Sequence, residues 1–162
     1  MNWKIALIGF GAATLACGGY EGRVARDVDR LRALHDVGSD HVGYAGTPHD
    51  FYLLYLKLWH DSTNQDLLAM VRDPSPAVRI VGAKCIVDSP WRKIDQAVLD
   101  PLIADTTEVM VGPGGCVFMK MTVGGVVLSL ERDPNFLGAV GTPVKLVSIP
   151  TKWSDWEAGE WR

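Results

Sequence analysis

"LLAMVRDPSPAVRIVGAKCIVD", residues Leu67 to Asp88, decides the fold. Two apolar runs flank a break at Asp73-Pro74-Ser75-Pro76. Leu67, Leu68, Met70 and Val71 belong to the first. Ser75 followed by Pro76 can open the second as a helix, because a serine suits the cap and proline lacks an N–H that the first helical position cannot use. The turn reverses the chain, and two apolar helices joined this way pack antiparallel. Gly82 and Ala83 are small enough to let their backbones approach closely.

Working outward, the signals from Val24 to about Asp105 are helical. Val24, Val28, Leu31 and Leu34 recur at helical spacing. In "GTPHDFYLLYLKLWH", Thr47 reads as the cap, Pro48 as the first helical residue, and Asp50 as a carboxylate at the positive helix end. Phe51, Leu54, Tyr55 and Leu58 form one face, with Trp59 beside it. Thr63-Asn64-Gln65-Asp66 opens the next helix in the same style.

Downstream, Val98, Leu99, Leu102 and Ile103 predict a further helix, and "DTTEV" repeats the Asp-to-Val spacing of the first turn. Residues 117–131 then admit two readings. A helix there would carry Gly124-Gly125 in its middle, at roughly 1 kcal/mol per glycine relative to alanine. A hairpin would pair Met119, Met121 and Val123 with Val126, Leu128 and Leu130 around a Gly-Gly turn. Local pattern favours the hairpin, and the analogy with the upstream helix pair favours the helix. Val144 to Ile149 form a short strand-like run, and Trp153, Trp156 and Trp161 follow in a polar tail. These tryptophans either cap an end of the helical stack or anchor a partner.

The Leu67–Asp88 stretch resembles a HEAT repeat, with Asp73, Val78, Arg79 and Ala83 at the family's Asp, Val-Arg and small-residue positions. Residues 98–131 resemble a second unit more loosely. The resemblance implies a predominantly α fold, a short HEAT-like stack of antiparallel helix pairs, in which Arg79 ties neighbouring turns through the turn Asp. It also implies action by protein-protein contacts across a rigid groove. Aromatic residues off the predicted core, Tyr44, Tyr52, Trp59 and Trp91, join Trp153 and Trp156 as candidate partner contacts.

The N-terminal "KIALIGFGAATLACGGY", Lys4 to Tyr20, is read in two ways. Gly9-x-Gly11-x-x-Thr14 approximates a dinucleotide fingerprint, but the acid expected about twenty residues on would be Asp29. Asp29 falls inside a helical pattern, where no second strand presents it. Export fits more fully: Lys4 supplies the charged region, Ile5 to Ala16 an apolar core too short to span a bilayer, and a small residue precedes Cys17. "TLAC" resembles the bacterial lipobox, although Thr14 stands where that pattern favours leucine. The resemblance implies acylation of Cys17 and an anchored lipoprotein of the cell envelope, with plain secretion or a periplasmic location as the alternative. The expected organisation is a signal peptide over 1–16, a tether over 17–23, a helical domain over 24–140 and a C-terminal extended or capping tail over 141–162.

The formal net charge is -3, and removal of Lys4 with the first sixteen residues would make the mature chain one unit more negative. That balance offers no electrostatic attraction to nucleic acid or to anionic lipid, for either of which a basic stripe is expected. With Cys17 assigned to lipid, Cys85 and Cys116 remain, either as a candidate disulfide or as two free thiols. His35, His41, His49 and His60 match no metal-ligand spacing, and no Gly-x-Ser-x-Gly elbow occurs. No catalytic residue, metal or cofactor is therefore expected. A small envelope enzyme remains the alternative if the loop holding His35, Asp40 and His41 folds over a cleft, and a toxin-neutralising immunity protein is a second alternative.

Overall fold

The computed structural model describes residues 20–43 and 48–138. Among them are helices α1 (Gly22–Arg32), α2 (Asp50–Asp61), α3 (Asn64–Met70), α4 (Pro76–Val87), α5 (Asp100–Ile103) and α6 (Val123–Arg132). Strands β1 (Asp36–Gly38), β2 (Glu108–Gly114) and β3 (Val117–Thr122) form one small sheet. The fold is thus mixed, mostly helical with a three-stranded sheet.

Helix α4 is central. It is apolar nearly all round, so it can only be stable when surrounded, and α1, α2, α3 and α6 pack against it. Ala77, Val78, Ile80, Val81, Ala83, Cys85 and Ile86 are all buried. Removing each large aliphatic side chain from water contributes about 1.5–3 kcal/mol. Ser75 stands at the cap position and Pro76 begins α4, but the Ser75 side chain makes no capping bond. A Cβ on Gly82 would lie 2.8 Å from that of Met70, so the close approach of α3 to α4 requires glycine there.

Helix α3 carries a full capping box: the Thr63 side chain accepts from the Asp66 backbone N–H, and Asp66 accepts in return from that of Thr63. In α2, Phe51, Leu54, Tyr55 and Leu58 are buried as the pattern predicts. Its cap differs from expectation. Thr47 lies outside the described residues, and the helix starts at Asp50 with His49 as its cap, Nδ1 accepting from the Phe51 N–H at 3.1 Å.

The 117–131 segment resolves into parts of both readings. A hairpin exists, but one element upstream: β2 and β3 are antiparallel, with Val109 opposite Met121 and Val111 opposite Met119. The chain turns through Gly115 (φ +64°), not through Gly124-Gly125. Those two glycines begin α6, where the Thr122 hydroxyl caps the helix by accepting from the Gly125 N–H at 3.0 Å. A Cβ on Gly124 would collide with the carbonyl oxygen of Ile103, so α5 and α6 can meet only over glycine. Val123, Val126, Val127 and Leu130, at i, i+3, i+4 and i+7, are buried.

Strand β1 runs parallel to β2, with Val37 opposite Val111 and Gly38 opposite Gly112. Part of the stretch expected as a tether over 17–23 is described. Tyr20 already donates to Asp73 at 3.3 Å, and α1 begins at Gly22.

Candidate functional site

The turn after α4 is where unusual features gather. Ser89 to Lys93 folds back onto the C-terminal end of α2, whose last carbonyls have no partner within the helix. Arg92 supplies one: its guanidinium donates to the carbonyls of Ser62 and Trp59, each at 2.6 Å. A cation at the negative end of a helix dipole is favourable as well. Asn64 donates to the Arg92 carbonyl at 3.0 Å and holds the turn from α3.

This docking raises Trp91 onto the surface, where it is 62% exposed, far more than a ring of its size normally tolerates. Its ring meets that of half-buried Trp59 edge to face, centroids 5.7 Å apart. Lys93, directly after the turn, has φ +53° and is the only non-glycine among the described residues in the left-handed region. Trp59 Nε1, Ser62 Oγ, Ser89 Oγ and Arg92 Nε are buried here without a hydrogen-bond partner among the described residues. Backbone strain, orphaned polar atoms and a protruding indole occupy one turn, and such combinations cluster at binding surfaces.

A second exposed apolar surface lies on the hairpin. Met110, Val117 and Met119 are exposed there, and β3 is an edge strand. Lys120, paired with Glu108 at 2.9 Å, puts charge beside it, which is how edges are shielded from pairing.

Of the other expected contacts, Tyr52 is a correction. It is 9% exposed and packs its ring 5.8 Å from that of Tyr55; burial first, then Asp40 and Asp88, pushes its hydroxyl up to about 12. Tyr44, Trp153, Trp156, Trp161 and the lipidation candidate Cys17 lie outside the described residues, as does the Gly9-x-Gly11 segment. Of the two readings of the cysteine pair, the candidate disulfide is the one that the structure does not hold. Cys85 is free and buried inside α4, and Cys116 is free and exposed on the hairpin turn. Burial pushes the Cys85 thiol well above its ordinary range.

Asp73 and Arg79 form part of a ladder. Asp73, 2% exposed, receives Arg32 from α1 at 2.7 Å and caps the turn by accepting from the Ser75 N–H at 2.9 Å. Arg79 donates to the carbonyls of Asp73 and Pro74, both at 2.8 Å, and its Nε lies 2.9 Å from Asp105 Oδ2. That last contact is an ion pair without the alignment of a hydrogen bond. Arg79 therefore joins its own turn through backbone oxygen and the following "DTTEV" turn through a carboxylate.

The histidines are dispersed. His35 and His41 flank β1 and the strand separates them, at about 3.3 Å per residue. His41 pairs with Asp40 at 2.8 Å, His49 with Asp36 at 3.3 Å, and His60 with Asp61 at 2.6 Å.

One cluster escaped sequence reasoning. Lys84 is fully buried in α4, 3.0 Å from Asp88 Oδ2, donating to the Pro134 carbonyl at 2.9 Å and lying over the Tyr55 ring at 4.8 Å. Tyr55 donates to the same Asp88 oxygen at 2.6 Å. The Lys-Asp spacing of four within an apolar helix was the available signal. No protein-family model matches the chain, and no curated protein matches it.

Proposed function

We propose that this chain is an exported, lipid-anchored helical-repeat protein of the bacterial cell envelope that binds a partner protein through the Trp59–Trp91 surface. The observation that carries the reading is Trp91, held outward by a strained turn clamped to α2 through Arg92. Exposed tryptophan beside a second aromatic ring is characteristic of binding hot spots. Anchoring rests on the charged, apolar and small-residue order of the segments before Cys17.

The helix pairs belong, in this reading, to a short HEAT-type stack. The Arg32–Asp73 and Arg79–Asp105 pairs supply the turn-to-turn ladder, and Gly82 supplies the close contact within the first unit. The second unit departs from the pattern by inserting β2 and β3 between α5 and α6.

The test has two parts. Intact mass of the membrane fraction from a bacterial host expressing the full sequence reports on anchoring. A chain beginning at Cys17 with added acyl mass is expected, and a soluble chain retaining residues 1–16 would overturn export. For binding, a photo-crosslinking residue is placed at position 91 or at exposed position 132 in the organism of origin. A discrete adduct from position 91 alone is expected, and indistinguishable patterns from both would overturn the assignment of the surface.

A further inference from the structure

We propose that β3 pairs with β3 of a second copy of this chain, antiparallel about a two-fold axis at Met119, so that two three-stranded sheets join into one continuous sheet. The inference depends neither on the Trp59–Trp91 surface nor on anchoring. Among the described residues β3 has a strand partner on one side only, β2. An edge of this kind presents a row of backbone N–H and C=O groups to another strand.

The face shared by β2 and β3 shows what the added strand must bring. Val109 and Val111 of β2 are buried on the core side. Opposite them on β3 stand Met121 and Met119, and Val117 shares their face by the two-residue period of a strand. Cover thins along this row: Met121 packs against the core, Met119 is 42% exposed and Val117 62%. The core face therefore runs on past its own cover, and a strand laid beside β3 must extend it with apolar side chains. β3 of a second copy carries that same row.

Register follows from side-chain parity. Opposite residues of an antiparallel pair share a face, and a slip of one residue turns every side chain to the other face. Only pairings of odd-numbered with odd-numbered residues keep the apolar row together, and two of these use most of the strand. One centres on Lys120 and sets it opposite its own copy, where like charges are destabilising. The other centres on Met119: Met119 meets Met119, Val117 meets Met121, and Lys120 meets Phe118, whose ring offers a cation–π partner. Lys120 thus disfavours the first register without closing the edge to the second, in which Glu108, 2.9 Å away, remains its ion-pair partner. Such a pairing is isologous and closes on itself. A strand pair this short falls below the roughly 1,200–2,000 Å² that stable interfaces bury, so the association is weak and depends on concentration.

The experiment uses the full chain in a mild non-ionic detergent with reductant. Sedimentation velocity over rising concentration is expected to show a monomer–dimer equilibrium. Met119→Lys, which places two like charges at the axis, should weaken it several-fold. Disulfide trapping reads the same axis without added charge, in a Cys116→Ser background that removes the exposed thiol of the hairpin turn. Without reductant, Met119→Cys should form an intermolecular disulfide several-fold faster than Val117→Cys. The axis brings the two Cα atoms at position 119 to about 4.5–5.5 Å, within disulfide range, whereas those at position 117 lie roughly 13 Å apart along the strands. A monomer at every concentration, or a dimer that Met119→Lys leaves unchanged, would overturn the inference. So would equal trapping at the two positions, or none at 119. Should Met119→Lys fail to fold, the trapping comparison decides alone.

Discussion

The Lys84 ammonium, wholly shut from solvent, lies 3.0 Å from Asp88 Oδ2. A buried charge is tolerable only when paired, and here one carboxylate serves both Lys84 and the Tyr55 hydroxyl. Burial, with Asp88 beside it, pushes the Tyr55 hydroxyl far above its ordinary range, so it acts as a donor throughout the accessible pH range. The Pro134 carbonyl completes the set and ties the segment after α6 to the central helix.

Asp88→Ala is therefore expected to cost about 3–5 kcal/mol, because it strands a buried cation. Lys84→Met/Asp88→Ala should be less destabilised than Asp88→Ala alone, since the apolar pair leaves no orphaned charge. Urea unfolding of both variants measures the difference. A double variant as unstable as the single one would mean that the network holds the fold by geometry and not by charge pairing.

At the α5–α6 crossing, a methyl on residue 124 has nowhere to go, because the Ile103 carbonyl already occupies its place. Gly124→Ala gains up to about 1 kcal/mol of helix propensity but suffers an overpacking cost of about 1–3 kcal/mol. Net destabilisation is expected in a thermal melt. Gly125→Ala is the control: its Cβ would lie 3.2 Å from Thr122 Oγ1 and 3.7 Å from Met121 Cε, so its effect should be smaller.

These glycines also show how far the fold was legible. Helix starts with local chemistry, the Thr63 box and Ser75-Pro76, were readable because their determinants lie within a few residues. The Gly124-Gly125 pair was not. Gly124 is there for its contact with Ile103 on a separate helix, and before folding the pair is indistinguishable from a turn. The true hairpin turn at Gly115 sat inside "GPGG", which reads equally well as a lengthened loop. At the candidate site, Trp59 and Trp91 could be picked out as aromatic, but not Tyr52's burial, which depends on the approach of Gly138 from the segment after α6. Nor could the role of Arg92, whose partners lie 30 and 33 residues away.

The Arg79–Asp105 link makes a pH-dependent prediction. Burial pushes the Asp105 carboxyl up, but bonds from Thr107 and the charge of Arg79 outweigh it and hold the group below the ordinary carboxylate value. A carboxyl with a depressed folded value adds stability that is present above its unfolded value and disappears as pH falls through the folded one. Asp27 works oppositely, because burial raises it despite Lys57. Wild type alone therefore reports a difference of two effects. Arg79→Met isolates one: it should lose about 2 kcal/mol near neutral pH, where a charged hydrogen-bond donor is removed. The gap to wild type should narrow as pH falls below about 4. A gap that is constant with pH in urea titrations would assign the whole effect to the Asp73 and Pro74 carbonyls.

Lys93 stands in a conformation that costs a residue with a side chain about 1–2 kcal/mol, and glycine there would return about 0.5–1 kcal/mol of that as chain entropy. Lys93→Gly is accordingly expected to stabilise the protein by about 1 kcal/mol or less. Trp91→Ala, removing a side chain that is 62% exposed, should change stability by no more than about 0.5 kcal/mol. Both are measured by thermal melts beside Trp59→Ala, which empties a half-buried position and should cost more. The strain at Lys93 then has a direct reading: relaxing the turn frees Trp91 from its fixed presentation. Lys93→Gly should raise stability while lowering the yield of the adduct formed from position 91. If stability and adduct yield rise together, the left-handed turn serves the fold alone and the indole is presented by the Arg92 clamp.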